Sequence, residues 1–93
     1  MQEKQHYVNG QEVYKQKENW LTYYYKTGSI KAEGPFENDQ MEGEWRFYRE
    51  TGQLMQIGNF KNNKKNGAWT RFDKNNQIEY NELFTDGKVN KTK

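Results

Sequence analysis

The segment GEWRFYRETGQLMQIGNFKNNKKNG, residues 43–67, contains one complete period of a repeat that decides the fold. Sliding the chain against itself by 24 residues aligns Trp45 with Trp69 and Phe60 with Phe84. Each period divides into two short aromatic or branched runs separated by clusters of Gly, Asn and Asp, which is typical of β-hairpins. The sequence therefore predicts an array of copied hairpins. The columns shared by three copies are Tyr24/Tyr48/Phe72, Gly28/Gly52/Asn76, Ile30/Leu54/Ile78 and Phe36/Phe60/Phe84.

The turn inside each hairpin is predicted from Arg49-Glu50-Thr51-Gly52, which suits a type I turn closed by a left-handed residue in a G1 bulge. Asn76 replaces this glycine in the third copy, and asparagine tolerates positive φ better than most residues. Consecutive hairpins are joined by the polar, Asn-rich segments 37–43 and 61–67, each closed by glycine. The turn chemistry therefore favours an antiparallel meander.

Pairing of Arg49 with Gln53 places Tyr48 opposite Leu54, and simple alternation puts both on one face with Phe60. The other face would then hold an apolar patch in the middle repeat with the tryptophan column beside it. Trp20 stands one residue early, so strict register places Leu21 in that column unless a bulge re-aims the tryptophan. The predicted patch consists of Trp45, Phe47, Met55 and Ile57, and Trp69 continues the tryptophan column beside it. This column would be covered either by Lys, Arg and Gln stems of neighbouring strands or by a partner protein.

We predict an all-β fold, a single-layer curved antiparallel meander of about three 24-residue hairpin repeats. Residues 1–17 are assigned to an N-terminal capping segment or degenerate repeat, because Asn9-Gly10 is a strong hairpin signal. The three repeats are assigned to residues 18–43, 44–67 and 68–90, and a basic tail to residues 91–93. Lys88, Lys91 and Lys93 are expected to protect the last strand from edge-to-edge aggregation.

Composition limits the possible classes of protein. Ninety-three residues form one small domain, and a mean hydropathy of -1.47 leaves most of the burial to the 3 Trp, 7 Tyr and 5 Phe residues. Without cysteine there is no disulfide scaffold and no thiolate site. The N-terminus lacks the apolar core of a signal peptide and no run is long enough to span a membrane. We therefore expect a soluble, cytoplasmic protein.

The repeat resembles the MORN repeat, in the variant found in bacterial proteins of the YwqK antitoxin-like family. The resemblance covers residues 18–90 and is weaker in the first copy, and Asp39, Asn63 and Glu82 stand where glycine is more usual. It implies a protein-binding sheet, sometimes named an antitoxin or immunity protein, whereas other MORN proteins are membrane-associated or appended to enzymes. It carries over no catalytic residue. The residues that match the pattern are Gly43, Trp45, Tyr48, Gly52, Leu54 and Phe60.

The sequence contains few residues suited to catalysis. His6 is the one histidine and falls in the terminal segment. The carboxylates that crowd one inter-repeat turn have no calcium-loop spacing, so we interpret them as a solvated turn. We predict a protein that is not an enzyme and has no cofactor and no metal. These turn carboxylates are Glu37, Asp39, Glu42 and Glu44.

Charge is distributed unevenly along the chain. Residues 33–50 hold six acids and two bases, net -4, whereas residues 59–78 hold five bases and one acid, net +4. A meander places the two inter-repeat turns side by side, so they would either neutralise each other or leave a basic docking patch for an acidic partner. The residues of this patch are Lys61, Lys64, Lys65, Arg71 and Lys74.

We therefore predict a non-enzymatic protein-binding repeat module and, more specifically, an antitoxin- or immunity-type inhibitor that occludes a partner protein. The competing hypothesis is a structural or self-associating module with weak binding to anionic membranes or nucleic acid, which a net charge of +2 does not favour. Partner identity and oligomeric state are left open. The predicted partner-binding residues are Trp45, Phe47, Met55, Ile57, Trp69, Lys61, Lys64, Lys65 and Arg71.

Overall fold

The computed structural model describes residues 6–90, and this part of the chain contains strands and turns but no helix. The polar turn clusters identified in the sequence separate the strands, as their Gly, Asn and Asp content requires. The strands are β1 (Tyr14–Lys17), β2 (Trp20–Tyr24), β3 (Ile30–Glu37), β4 (Gln40–Met41), β5 (Gly43–Tyr48), β6 (Leu54–Lys61), β7 (Lys64–Lys65), β8 (Gly67–Phe72), β9 (Ile78–Thr85) and β10 (Lys88–Val89).

All ten strands belong to one open antiparallel sheet with the order β1-β2-β3-β5-β6-β8-β9-β10, while β4 pairs with β3 and β7 with β6. Neighbours in the sheet follow one another along the chain, apart from the two short return strands. The predicted all-β, single-layer meander of hairpin repeats is confirmed. Because no second layer covers the described sheet, each of its faces packs only through its own side chains.

The turn within each hairpin has the predicted geometry. The Gly52 amide donates to the Arg49 carbonyl oxygen at 2.8 Å, and the Arg49 amide donates to Gln53 at the same distance. Gly52 has a φ of 97°, and Asn76 takes the equivalent place with a φ of 64°. The asparagine thus preserves the turn because it accepts the left-handed conformation.

The segments between repeats also turn where the sequence predicts. Asn62 and Asn63 both have positive φ, 53° and 72°, as a type I′ two-residue turn requires, and the short strand β7 folds back beside the end of β6. Asn38 and Asp39 repeat this turn between β3 and β4. Successive turns are linked, because the Asn63 amide donates to the Met41 carbonyl oxygen at 3.1 Å.

The assignment of side chains to faces by simple alternation is wrong. Tyr48 pairs with Leu54 as predicted, but Phe47 pairs with Gln56, so Met55 is the extra residue of a β-bulge. One extra residue reverses the alternation beyond it. Phe60 therefore shares a face with Trp45, and Ile57 lies on the other face, paired with Arg46.

We call the side of the sheet that carries the tryptophans the aromatic face and the other side the opposite face. Equivalent bulges lie in the first and third hairpins, at Lys31 and Glu79. Leu21 occupies the tryptophan column of the first repeat, and the side chain of Trp20 belongs to the opposite face. The residues of the aromatic face include Leu21, Tyr23, Ala32, Trp45, Phe47, Phe60, Trp69 and Phe84.

The core is built from each tryptophan lying on a glycine of the preceding repeat. Trp45 is 1% exposed and Trp69 is 3% exposed, although the sheet is open. A Cβ atom added to Gly34 would lie 2.4 Å from the Trp45 ring, and one added to Gly58 would lie 2.3 Å from the Trp69 ring. Only glycine permits this approach, so the tryptophan of one repeat depends on the backbone of the repeat before it.

Each indole also joins its repeat to the previous one by a hydrogen bond. Trp45 Nε1 donates to the Pro35 carbonyl oxygen and Trp69 Nε1 donates to that of Asn59, both at 2.8 Å. Phe60 stands edge-on to both indoles, with ring centroids 6.0 Å from Trp45 and 5.1 Å from Trp69. Satisfied indole N–H groups and edge-to-face rings are the usual form of a buried aromatic cluster. The tryptophans predicted to contact a partner are therefore packed within the sheet's own aromatic cluster.

The N-terminal part of the described chain forms a hairpin turn of the same type as the repeats. The Tyr7 amide donates to the Gln11 carbonyl oxygen at 2.7 Å, and the Gly10 amide donates to Tyr7 at 2.9 Å. The Tyr7 hydroxyl reaches the Tyr24 carbonyl oxygen at 2.7 Å, which ties this turn to the first full repeat. The predicted basic tail, with Lys91 and Lys93, lies outside the described residues.

Candidate functional site

The aromatic face contains a shallow, mostly apolar hollow of about 320 Å³ beside the buried tryptophans. It forms where β2, β3, β5 and β6 run side by side, next to the bulges of the first two hairpins. The bulges bring Lys31 and Met55 to the hollow, as bulges do when they re-aim a side chain. The lining residues are Tyr23, Tyr25, Lys31, Ala32, Phe47 and Met55.

The floor of this hollow is rigid because it rests on the core. Ala32 is buried, and the ring centroid of Phe47 lies 6.4 Å from that of Trp45 and 5.7 Å from that of Trp69. The Tyr25 hydroxyl at the rim donates to the Tyr48 carbonyl oxygen at 2.6 Å. Side chains held in this way lose little conformational freedom when a ligand binds.

One positive charge stands beside the hollow. Lys31 Nζ lies 5.8 Å from the centroid of the Tyr25 ring, within the range of a cation–π contact. Apolar side chains with an ammonium at the rim suit an apolar group that has an acidic neighbour.

The predicted partner-binding residues separate into different surroundings. Phe47 and Met55 meet in the hollow, whereas Trp45 and Trp69 lie beneath the surface as its support. Ile57 lies on the opposite face, between Arg46 and Thr70 in the sheet register. The residues predicted to form a single apolar patch therefore lie on both faces of the sheet.

The basic residues of the predicted docking patch also differ. Lys65 Nζ lies 4.6 Å from the centroid of the Trp69 ring and 4.8 Å from that of Phe84, so this lysine covers the last tryptophan. Arg71 Nε lies 3.2 Å from Glu79 Oε1 on the aromatic face. Lys61 and Lys64 are exposed at the β6–β7 turn. Their charges remain available to solvent.

The acidic and basic inter-repeat turns lie side by side, as predicted. The Asn62 amide donates to Glu42 Oε2 at 3.1 Å across this contact. The ion pairs among residues 6–90 join Arg46 to Glu44 and Arg71 to Glu79, each within one repeat, so none links the two turns. The two turns thus present adjacent patches of opposite sign without direct charge pairing.

The opposite face has another groove, of about 430 Å³, that was not predicted from the sequence. Trp20 is 46% exposed there, and its Nε1 donates to Glu33 Oε1 at 3.3 Å. The early position of Trp20 in the repeat could have indicated this groove, because a tryptophan shifted by one residue faces the other side of the strand. The lining residues are Trp20, Glu33, Pro35, Glu44, Arg46 and Tyr48.

The described residues show no arrangement suited to metal binding. His6 is exposed and forms an isolated bridge with Glu12. Within residues 6–90, no group of three or more His, Asp or Glu side chains could hold a metal ion. No helix long and apolar enough to cross a membrane occurs in the same part of the chain.

A family model described as a MORN repeat variant matches residues 21–38 and 41–62. These segments contain most of the first repeat and most of the second. MORN repeats are non-catalytic modules generally associated with protein or membrane binding. No curated protein and no solved structure matches the chain significantly.

Proposed function

We propose that this chain is a non-enzymatic protein-binding module whose aromatic-face hollow receives an apolar side chain of a partner protein. The observation that carries the proposal is the partly open hollow at Phe47 and Met55 on a floor of buried aromatic residues. Methionine and aromatic residues are enriched at the centres of protein interfaces. The match to a MORN repeat variant supports the same class of function.

The roles of the residues predicted from the sequence are revised accordingly. Phe47 and Met55 would contact the partner, while Trp45 and Trp69 would hold Phe47 in place from below. A partner anchor in such a preformed pocket contributes more than the surrounding contacts. Ile57 faces away from the hollow and is therefore assigned no contact there.

Charge would direct the approach of the partner. Lys31 borders the hollow, and Lys61 and Lys64 add exposed positive charge at the β6–β7 turn. Such charges increase the rate of encounter with an acidic surface more than they increase final affinity. We therefore propose a partner that is acidic around its apolar anchor. Lys65 and Arg71 would take a smaller part, because each already has an aromatic or acidic neighbour in the chain.

The more specific form of the proposal is an antitoxin- or immunity-type inhibitor that acts in the bacterial cytoplasm. The resemblance to the YwqK antitoxin-like family supports it, and an open sheet offers a broad surface that could cover a partner's active site by occlusion. An inhibitor of this kind would lower the partner's activity at a one-to-one ratio without changing the partner covalently.

The test is affinity capture of a partner from the source cell with three forms of the chain. Met55→Glu replaces an apolar contact in the hollow by a negative charge and is expected to lose the captured protein, because the charge repels a partner that is acidic around its apolar anchor. Ile57→Gln changes the opposite face of the same strand and is expected to retain it. Circular dichroism first establishes that both variants are folded. Retention of the same protein by Met55→Glu would refute the proposed site.

A further inference from the structure

The opposite face is the less protected side of the sheet. Within residues 6–90 no second layer covers it, and it has no buried tryptophan comparable to those of the aromatic face. Trp20, Ile78 and Leu83 are 46%, 60% and 57% exposed, and the sheet register places all three on this face. Large apolar side chains exposed together on one surface mark an interaction site.

A continuous apolar row crosses the opposite face beside the hairpin turns. Each repeat contributes one aromatic and one aliphatic side chain, which pair across neighbouring strands. None of the six side chains is buried, although all three copies keep the same pattern. We call this row the apolar band. It consists of Tyr24 with Ile30, Tyr48 with Leu54 and Phe72 with Ile78.

Opposite charges lie at the other end of the same face, beside the inter-repeat turns. Phe36 and Phe60 pack on the aromatic face, so Glu37 and Lys61, which follow them, lie on the opposite face. Lys64 pairs with Lys61 across the strands and shares that face. Glu37 and Lys64 are exposed, and neither forms an ion pair within residues 6–90. Because β5 and β6 are the middle of the strand order, the acid and the two bases lie on different sides of the centre.

We propose that two copies of the chain pack together through their opposite faces, around a two-fold axis that runs parallel to the strands between β5 and β6. Rotation about this axis exchanges β5 with β6, β3 with β8 and β2 with β9 of the second copy. The short strand β7 pairs with β6 on the same side as β8, so it is exchanged with the end of β3. A two-fold contact of this kind requires a self-complementary surface.

The apolar residues meet that requirement. Every residue of the apolar band comes to lie on an apolar residue of the second copy, because the band extends equally to both sides of the axis. Trp20 and Leu83 belong to one row across the sheet and lie at equal distances from the axis, so they face each other in the pair. The contacts of the band are Tyr48 with Leu54, Ile30 with Phe72 and Tyr24 with Ile78, each made twice.

The charges meet the same requirement. Glu37 on β3 comes to lie on Lys64 in β7 of the second copy, and the two-fold axis forms this contact twice. Arg46, near the axis, is already paired with Glu44 at 3.1 Å, so it adds no unpaired charge there. The complementary charges therefore favour a second copy as the occupant of this face.

The dimensions of the chain allow a stable interface. The molecule measures 49 × 34 × 20 Å, so a broad face is larger than the area of about 800 Å² that each partner buries in a standard interface. Face-to-face stacking of two sheets is a common arrangement of antiparallel β structure. The aromatic face remains free, so this association does not depend on the partner binding proposed above.

The test is sedimentation equilibrium of the untagged chain at concentrations up to about 1 mM. The average mass should rise with concentration and stop at two chains of 11.3 kDa each. Ile78→Lys places an ammonium group in the apolar contact and should weaken association at least about tenfold. Tyr80→Lys is the matched control, because it changes an exposed residue of the same strand on the aromatic face, and it should associate as the unaltered chain does. Circular dichroism first establishes that both variants are folded.

A mixing experiment tests the two-fold axis itself. Glu37→Lys and Lys64→Glu should each associate about tenfold more weakly alone, because like charges then meet twice in each pair. Mixed in equal amounts, the two variants should associate as strongly as the unaltered chain, since both contacts then join opposite charges.

Three results would overturn the proposal. The first is a chain that remains a monomer at every concentration. The second is equal association of Ile78→Lys and Tyr80→Lys, or a mass beyond two chains. The third is a mixture of the charge variants that associates no better than either variant alone.

Discussion

Replacement of Gly58 by alanine tests whether the tryptophan-on-glycine contact holds the repeats together. The added Cβ would lie 2.3 Å from Trp69 Cδ2 and 2.4 Å from Cε2 and Cε3, so the indole must move. Its Nε1 would then lose the 2.8 Å hydrogen bond to the Asn59 carbonyl oxygen. The substitution therefore disturbs packing and a buried hydrogen bond together.

The expected loss of stability follows from these two effects. Overpacking a filled core costs about 1–3 kcal/mol, and a lost hydrogen bond costs about 1 kcal/mol. Replacing glycine also lowers the conformational entropy of the unfolded chain, which offsets about 0.4–1 kcal/mol of this loss of stability. The net decrease in the free energy of unfolding should be about 2 kcal/mol, within a range of about 1–3.5 kcal/mol. For a domain of this size, about 2 kcal/mol corresponds to a fall in Tm of about 8–16 °C.

The assay is urea and thermal unfolding followed by circular dichroism and tryptophan fluorescence. Glu82→Ala is the matched control, because it places the same methyl group at the equivalent strand position of the third repeat. It should change stability by less than about 0.5 kcal/mol. A Gly58→Ala protein as stable as the unaltered chain would show that the indole does not rest on this glycine.

A double-mutant cycle with Trp69→Phe identifies the cause of the effect. Phenylalanine lacks the fused ring system that lies closest to Gly58. If the collision is responsible, Gly58→Ala should cost less than about 1 kcal/mol in the Trp69→Phe background, because contacting residues are not additive. Equal costs in both backgrounds would refute the reasoning and indicate a backbone effect of alanine at residue 58.

Three further substitutions test other contacts of the repeat. Tyr25→Phe should destabilise the chain by about 1 kcal/mol in urea unfolding, because it removes the 2.6 Å bond from the hydroxyl to the Tyr48 carbonyl oxygen. Asn76→Ala should cost about 1 kcal/mol by the same measurement, whereas Asn76→Gly should not, since the φ of 64° is strained for alanine. Lys65→Ala should uncover Trp69 and shift its fluorescence emission to longer wavelength, whereas Lys65→Met should keep the ring covered. Identical emission from both variants would show that the side chain at residue 65 does not cover Trp69.

The turns could be predicted from the sequence because each is encoded by a few adjacent residues. Gly52 and Asn76 accept left-handed backbone, and this local chemistry fixed both the hairpins and the 24-residue spacing. The meander followed, since strands joined by short turns must be antiparallel neighbours. These predictions required no knowledge of distant contacts.

The two faces could not be predicted by the same reasoning. Met55 is an ordinary strand residue, and nothing in its side chain indicates that it is the extra residue of a bulge. The signal that could have revealed the error was glycine inside a strand at Gly34 and Gly58, which indicates close approach by another group. If those glycines had been interpreted as the positions on which Trp45 and Trp69 pack, the assignment of the faces would have been reversed.

Because of the bulge, the residues that stabilise the sheet, the tryptophans and their glycines, lie in different columns from the bulge residues, which can vary. The glycines on which the tryptophans pack recur because each indole needs a residue without a side chain beneath it and a carbonyl oxygen within hydrogen-bond distance. The bulged column has no such requirement, and it contains Lys31, Met55 and Glu79 in the three copies. A substitution in this column changes the surface beside the hollow without disturbing the stacked core. In a repeat of this kind, substitutions at the bulge residues can change which partner binds, while the stability of the sheet continues to depend on the tryptophan–glycine contacts.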